Sequence, residues 1–518
     1  MNVLTQQNAA DWGPFGRPLF DDPEIRRLTR VGVVDVGSNS VRLVIFDGAA
    51  RSPAYFYNEK VMCALGEGMS ETGRLNPTGK RRALDALRRF QTLAAGMEIG
   101  PLTAVATAAV REAADGPAFR EEIARETGLH LYVIDGAEEA RLSAQGVLLG
   151  WPRAQGLVCD IGGSSMEMAT VADGEIGPRA TSALGPLKLR DMNGGKKALR
   201  AHIDAEIARL KGDLGETPER LFLVGGSWRA IARLDMTRRD YPLKVLHEYQ
   251  MRPADLRKTL KWIESADPEA IRLASGVSPQ RMGLVPLAVE VLEGVMRVIR
   301  PREVFISSYG LREGLLYEQM PQALRERDPL IEACRFAETK DARVPGFGSV
   351  LYRFIRPLYS RAAESRLRLV RAACHLHDVS WRSHPDYRAE VCFDYATRGN
   401  FGGLSHGDRV FLALALLHRY KNSRADPRVE RLVGLIEPED VRQAEILGKA
   451  MRFGAMFTTQ KSEEMGTLRW HPQKKKLFLA VGPRAKALLG EVAEARFGAL
   501  GRALGAETGI VETRHAAP

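Results

Sequence analysis

From Val31 onward the chain sets short apolar runs against helical periods. "VGVVDVG" and "VRLVIFD" are strand-like runs, "PTGKRRALDALRRFQTLAAGM" spaces its apolar residues at three and four, "LTAVATAAV" is a further apolar run, "GPAFREEIARETG" a second helical period, and "LYVIDG" closes the series. This β-β-α-β-α-β order predicts an α/β layer architecture. A second series follows: "EEARLSAQGVLLG" as helix, "GLVCDIGGSSMEMATV" as another polar-tipped hairpin, "HIDAEIARLKGDL" as helix, and "RLFLVGGSWRAIARL" as strand, glycine turn and helix. The two hairpins carry acidic, Gly/Ser-rich turns about 125 residues apart, at Asp35 and Asp160. The repeat predicts two related subdomains facing one another across a cleft.

After "VFISSYGLREGLLYE" (304–318) the strand pattern gives way to Leu/Ala/Arg-rich helical stretches, notably "RLRLVRAACHLHDVS" and "DRVFLALALLHRYK". "MGTLRWHPQKKKLFLAV" returns to β-type alternation, which in "QKKKLFLAV" is expected to put Lys474, Lys475 and Lys476 on successive opposite faces of a strand. The helix "RAKALLGEVAEARFGALGRALG" comes last. The expected organisation is an N-terminal extension over 1–30, polar and without period, subdomain I over 31–135, subdomain II over 136–318, and a helical and C-terminal region over 319–518.

Composition adds one asymmetry. The 518 residues carry a formal net charge of +11. Residues 1–320 hold 42 Lys and Arg against 41 Asp and Glu, and residues 321–518 hold 33 against 23. The C-terminal part is therefore the polyanion-facing candidate. The five cysteines are scattered with no CxxC pair, which fits neither a zinc site nor a disulfide framework and suits a reducing cytoplasm. No basic segment followed by an apolar one opens the chain and no run of 18 apolar residues occurs, so neither secretion nor membrane insertion is expected.

The turns carry the chemistry. Glycines in "DVGSNS" and "DIGGSS" let backbone N–H groups approach an anion, and the serine hydroxyls add donors; such concave arrays bind phosphate. Asp35 and Asp160 beside those donors would repel a phosphate unless a hard cation such as Mg²⁺ intervened.

The two hairpins followed by "VGGSWRAIA" form an ordered set that resembles the actin, sugar-kinase and heat-shock chaperone superfamily. "DVGSNSVRLVIF", "ATAAVREA" (106–113), "GAEEARL" (136–142), "DIGGSSMEM" (160–168), "VGGSWRAIA" (224–232) and "SSYGLREGLLYE" (307–318) resemble, in order, the motifs of the exopolyphosphatase / guanosine pentaphosphate phosphohydrolase (Ppx/GppA) family. The resemblance implies an α/β fold of two actin-like (ribonuclease H-like) subdomains flanking a cleft, then a helical HD-like domain and a small C-terminal α+β segment. It makes Glu139, the second Glu of "EEAR", the general base, and Arg111 a guanidinium for the equatorial phosphate oxygens. Ser38, Asn39 and Ser40, then Gly162, Gly163, Ser164 and Ser165, then Gly225, Gly226 and Ser227 become the three phosphate-binding turns. Asp160 and Glu167, with Asp35, become the cation ligands. Where the family commonly shows "DxGGGS", this chain has Ser164, so an additional hydroxyl is expected in the loop. "CHLHDVSW" contains the His377–Asp378 pair that names the HD fold, expected to be structural or vestigial because the ordered ligand set of an active HD site is not evident.

What the resemblance implies in function is a cytoplasmic Mg²⁺-dependent exopolyphosphatase that releases terminal orthophosphate from inorganic polyphosphate by attack of water. The alternatives are a hydrolase converting pppGpp to ppGpp in the stringent response, or a non-catalytic regulator binding polyphosphate or an alarmone. The C-terminal charge surplus favours the long polyanion. A homodimer is expected; nucleic acid is not an expected partner.

Overall fold

A computed structural model describes residues 30–47, 51–52, 54–100, 102–216, 218–422, 426–457 and 466–513; apart from Arg30, the expected N-terminal extension lies outside them. The chain divides into two compact units, the first running to Pro329 and the second starting at Leu330.

The first unit holds two sheets. β1 (Val31–Val36) pairs antiparallel with β2 (Ser40–Phe46), and β2 antiparallel with β3 (Tyr55–Met62). On its other side β1 runs parallel to β4 (Thr103–Ala106), which runs parallel to β5 (Leu131–Val133). The order is β3-β2-β1-β4-β5. In the second sheet β6 (Gly156–Ile161), β7 (Met166–Ala172) and β8 (Glu175–Ser182) form the antiparallel meander, and β9 (Arg220–Gly225) and β11 (Glu303–Ile306) add parallel strands. β10 (Tyr249–Met251) extends the far edge, giving β10-β11-β9-β6-β7-β8. Without β10, the second sheet repeats the topology of the first. This is the α/β, actin-like pair of subdomains.

Burial explains which strands the sequence revealed. Val31, Val33, Val34 and Val36 of β1 are all buried because β1 is central and covered on both faces, so its run is continuously apolar. The edge strands β3 and β8 are largely exposed and absent from the sequence-based order: in "YFYNEKVM" a polar Asn-Glu-Lys run interrupts the apolar residues without alternation, and "EIGPRATS" has few apolar positions. Each expected hairpin is thus a three-stranded meander.

Helices cover the faces where the periods predict them. Pro77–Gly96 starts at Asn76, whose side chain accepts from the Gly79 N–H at 2.8 Å, and buries Leu84, Leu87 and Phe90. Gly136–Gly150 starts at Asp135, whose carboxylate accepts from Glu138 N at 2.7 Å. This second helix crosses the helix Leu311–Glu318 backbone to backbone. A Cβ on Gly314 would lie 1.8 Å from the Leu142 carbonyl oxygen, and one on Gly146 2.2 Å from that of Gly310.

The second unit is helical, with a small α+β segment. The helix His406–Tyr420 is buried from Arg409 to His418 and packs against Glu364–Leu376, Arg388–Arg398 and Pro438–Gly454. β12 (Thr467–His471), β13 (Lys476–Val481) and β14 (Glu507–Glu512) form a sheet in the order β12-β13-β14. The lysine run departs from expectation. Lys474 ends a 3₁₀ turn and Lys475 sits at φ 49°, so only Lys476 belongs to a strand. Pro472 opens that turn and interrupts the alternation.

The helix crossing makes a stability prediction. Gly314→Ala forces backbone against backbone and should destabilise the chain by about 1–3 kcal/mol in urea unfolding. Gly212→Ala, in the helix Gly195–Leu214 where an added Cβ meets nothing within 4 Å, should be neutral or stabilising by up to about 1 kcal/mol.

Candidate active site

The turns of the two meanders share a local geometry. Gly37 N donates to Ser40 O at 3.0 Å, and Gly162 N donates to Ser165 O at 2.9 Å. The loops meet where the Ser164 hydroxyl donates to the Ser38 hydroxyl at 3.0 Å. The hydroxyl that replaces the family's third glycine thus links one turn to the other. The third turn is made by Gly225, at φ 112°, whose Cα lies so close to β6 that a Cβ would fall 2.5 Å from the Ile161 carbonyl oxygen and 2.9 Å from an Asp160 carboxylate oxygen.

These turns enclose a cavity of about 250 Å³, and each residue expected to bind phosphate lines it. So do Asp35, Asp160 and Glu139. Glu139 stands in the first turn of the helix Gly136–Gly150. Ser143, one turn on and on the same face, donates to the Asp160 carboxylate. Glu167 pairs across from Asp160 in the β6–β7 register, is 1% exposed, and is not part of the cavity wall. Arg111 is not on the wall either. Its guanidinium donates to the Ile134 carbonyl at 2.8 Å and lies 3.6 Å from Glu139.

The carboxyl groups are electrostatically crowded. Burial pushes Glu139 well above the usual carboxylate range; Glu167 and Asp160 add to the rise and Arg111 opposes it. Burial pushes Glu167 up to about 8, with the Ser165 hydroxyl holding it back and Asp160 adding to it. Asp160 is raised by burial despite Ser143, Arg229 and Arg312. One oxygen each of Glu139 and Glu167 has no hydrogen-bond partner. Among the described residues, however, Asp35, Asp160 and Glu167 do not gather ligand atoms within 4.8 Å of one another; the trio that does is Glu264, Glu290 and Glu293, away from the cavity. Asp35 instead accepts from Arg312 at 3.0 Å.

The sequence reading missed the cations. Arg42, Lys60, Arg229, Arg281 and Arg312 all line the cavity. Arg312 is paired with Asp35, whereas among the described residues the other four make no ion pair within 4.0 Å. Arg229 donates to the Gly225 and Ser308 carbonyls at 3.0 and 3.4 Å, which aims its guanidinium. Burial and repulsion from Arg312 bring Arg42 and Arg229 each down to about 10. Arg229 and Arg312 sit inside quoted motifs, and Arg42 is two residues past Ser40, on the side of β2 that faces Asp35, so these were recoverable from the pattern. Arg281 lies outside every motif.

In the second unit Asp378 is 3% exposed and accepts from Arg343 Nε at 2.8 Å and Nη2 at 2.7 Å. His377 donates through Nδ1 to the Cys374 carbonyl at 2.8 Å, and His375 pairs with Glu338 at 2.6 Å. Among the described residues of this unit no three metal-ligating groups converge. The His377–Asp378 pair is bound up in packing.

Two sheets of matching topology around one cavity of turns define an actin-like fold. The Ppx/GppA phosphatase profile matches residues 44–323, more than half of the chain, and an exopolyphosphatase C-terminal profile matches 357–511. The chain belongs to the Ppx/GppA phosphatase family. Exopolyphosphatase 1 of Mycobacterium tuberculosis is 27% identical over 304 residues, 56% of this chain and 88% of that protein. Exopolyphosphatase 2 of the same organism is 25% identical over 315 residues, 56% and 98% respectively. A crystal structure of an exopolyphosphatase from Cytophaga hutchinsonii shares the fold at TM-score 0.50 and 24% identity, covering 56% of this chain and 97% of that one. No described helix is long and apolar enough to cross a membrane.

The packed histidine makes a pH prediction. Burial first, then Arg419, lowers His377 to about 4, against Asp378, the Cys374 carbonyl and Glu338. Its folded pKa lies below its unfolded value of about 6.5, so the unfolded chain binds the extra proton, and the stabilisation is complete above pH 6.5 and lost as pH falls towards 4. His377→Gln should flatten the pH dependence of urea stability in that window, by up to about 3 kcal/mol.

Proposed function

We propose that the protein is an exopolyphosphatase, releasing terminal orthophosphate from inorganic polyphosphate by attack of water. The observation that carries this reading is the set of unpaired cations facing a buried carboxylate across three donor-rich turns. A cavity with four cations that make no ion pair among the described residues calls for a multiply charged anion. The names of the mycobacterial relatives support the choice of substrate, and those relatives are matched nearly end to end by little more than half of this chain.

In this mechanism the turns hold the terminal phosphate, with Ser38, Ser40 and Ser227 donating hydroxyls, Ser165 holding Glu167, and Gly162, Gly163 and Gly226 offering close backbone approach. Glu139, raised in basicity by burial, orients a water and takes its proton as the oxygen attacks phosphorus. The bond to the bridging oxygen breaks, and that oxygen leaves as the new terminus of the shortened chain. Arg229 and Arg312 stabilise charge on the transferring group. Arg111, beside Glu139, positions that carboxylate. The orphaned carboxylate oxygens call for a divalent cation such as Mg²⁺, which Asp160, with Glu167 behind it, and Asp35, once released from Arg312, would hold, and which would neutralise phosphate oxygens when bound.

One observation favours the pppGpp reading. A second cavity of about 380 Å³ shares Ser38, Asn39, Ser164, Gln280 and Leu284 with the first and adds Met69, Leu187 and Glu67, apolar surface and a carboxylate suited to a nucleoside. Parallel assays of phosphate release from polyphosphate and pppGpp decide between them. The expected result is a higher kcat/KM for polyphosphate; preference for pppGpp overturns the choice of substrate but not the chemistry. Release from neither, with binding retained, would favour the regulator.

Glu139→Gln keeps size and removes the base. Phosphate release should fall by roughly 10²–10⁴ with substrate binding kept. A loss below threefold would dismiss Glu139 as the base.

A further inference from the structure

The two turns that meet at the cavity are not equal at their junction. Aligned on the bonds from Gly37 N to Ser40 O and from Gly162 N to Ser165 O, Ser38 of the first turn corresponds to Gly163 of the second, and Asn39 to Ser164. A Cβ on Gly163 would lie 3.5 Å from the Ser38 Cβ, so Ser38 stands against bare backbone. The hydroxyl that meets it comes from the next residue, Ser164, at 3.0 Å. Each serine is held by its own subdomain. The Ser38 carbonyl accepts from Gly66 N at 2.8 Å. On the other side Leu187 N donates to the Gly163 carbonyl at 2.9 Å. Gly185 packs on the Ser164–Ser165 peptide so closely that a Cβ there would be 2.2 Å from the Ser164 carbonyl carbon. Backbone contacts thus set the separation of the two hydroxyls.

A serine hydroxyl has one proton to give and two lone pairs to receive. Ser164 gives its proton to the Ser38 oxygen, and among the described residues nothing accepts the Ser38 proton in turn. Both side chains are buried and both line the cavity, so the unused donor of the pair lies at the cavity wall. A hydroxyl that accepts a bond is polarised and donates more strongly, by roughly 10–30% per link in a low-dielectric setting.

We propose that Ser164 is a positioning residue that acts through Ser38: its hydroxyl orients and polarises that of Ser38, so that Ser164, Ser38 and an oxygen of the terminal phosphate form one donor chain from the second turn, through the first, to the ligand. The inference rests on the reading of the turns as the seat of that phosphate and deepens it. It holds equally for an inorganic chain and for a nucleotide, because only the terminal group is touched. A glycine at position 164 would leave the Ser38 hydroxyl without this donor. A bond that only fastened the turns together would be felt in stability and not in the coupling of the two serines toward phosphate.

The test measures binding of inorganic orthophosphate to the full chain by isothermal titration calorimetry with Mg²⁺ present. The variants are Ser164→Ala, Ser164→Gly, Ser164→Thr, Ser38→Ala, and Ser38→Ala combined with Ser164→Ala. Ser164→Ala and Ser164→Gly should weaken orthophosphate binding alike, roughly three- to tenfold, and should raise KM for polyphosphate more than they lower kcat. Ser164→Thr keeps the hydroxyl and should stay within about twofold of wild type. In the Ser38→Ala background the chain is already cut, so adding Ser164→Ala should cost no more than about twofold. Effects that multiply across the two serines would overturn the proposal. So would Ser164→Ala binding orthophosphate like wild type while Ser164→Gly does not, since the effect would then lie in the stiffness of the loop. A wild type that binds no orthophosphate overturns it as well. A wild type that binds orthophosphate and releases none from polyphosphate sinks the functional reading instead, and the donor chain then stands or falls on the binding cycle.

Discussion

The crossing of Gly136–Gly150 over Leu311–Glu318 is the constraint on which the site depends. Glu139 rises from the start of the first helix and Arg312 from the start of the second. Their separation is set by how closely the two backbones approach, and Gly146 and Gly314 let that approach reach carbonyl contact. A larger residue at either position would push a carboxylate and a guanidinium apart across the cavity. The Glu313 side chain reinforces the arrangement by accepting from Gly310 N at 2.8 Å and from the Tyr55 hydroxyl at 2.7 Å, tying the helix start to β3.

Around this frame the site opposes two excesses of charge. Asp160, Glu139 and Glu167 are raised by burial, and Asp160 adds to the rise of the two glutamates, while Arg42, Arg229 and Arg281 are lowered. Apart from Arg312 with Asp35, the two sets are not joined in direct pairs across the cavity. A protein built only for stability would pair them, since leaving a buried charge uncompensated costs several kcal/mol. The separation is what a site for a charged ligand requires, because stabilisation is then withheld until the ligand arrives.

The strands and helices that bury a clear face were legible in the sequence, and so were the polar turns, because glycine and serine in an acidic context carry a backbone requirement with them. The α/β layering of subdomain I followed from the alternation of apolar runs and helical periods, although that order lacked β3. What escaped reading has a physical cause in each case. β3 and β8 are edge strands in which apolar and polar residues do not alternate, and Lys60 of β3 reaches the cavity only through the pairing of β3 with β2. Arg281 comes from a four-residue helix outside any motif and reaches the cavity only through the tertiary fold. The charge surplus near the C-terminus drew attention because it is visible in composition; the cations of the cavity are masked there by nearby acids that balance the count without balancing the field.

The matched turns carry a consequence of symmetry. Gly37 bonding Ser40 and Gly162 bonding Ser165 are the same device on two sheets of the same topology, brought together at the Ser38–Ser164 contact. A tetrahedral oxyanion itself has two-fold axes, so it can present equivalent pairs of oxygens to both turns, which an asymmetric ligand cannot do. Grip is therefore shared by the duplicated parts, and direction must come from the parts that are not duplicated. Asp35 is neutralised by Arg312 while Asp160 is held by Ser143. Glu139 rises from a helix beyond both turns. The front and the back of the site are therefore told apart by the residues at which the two otherwise matching halves differ.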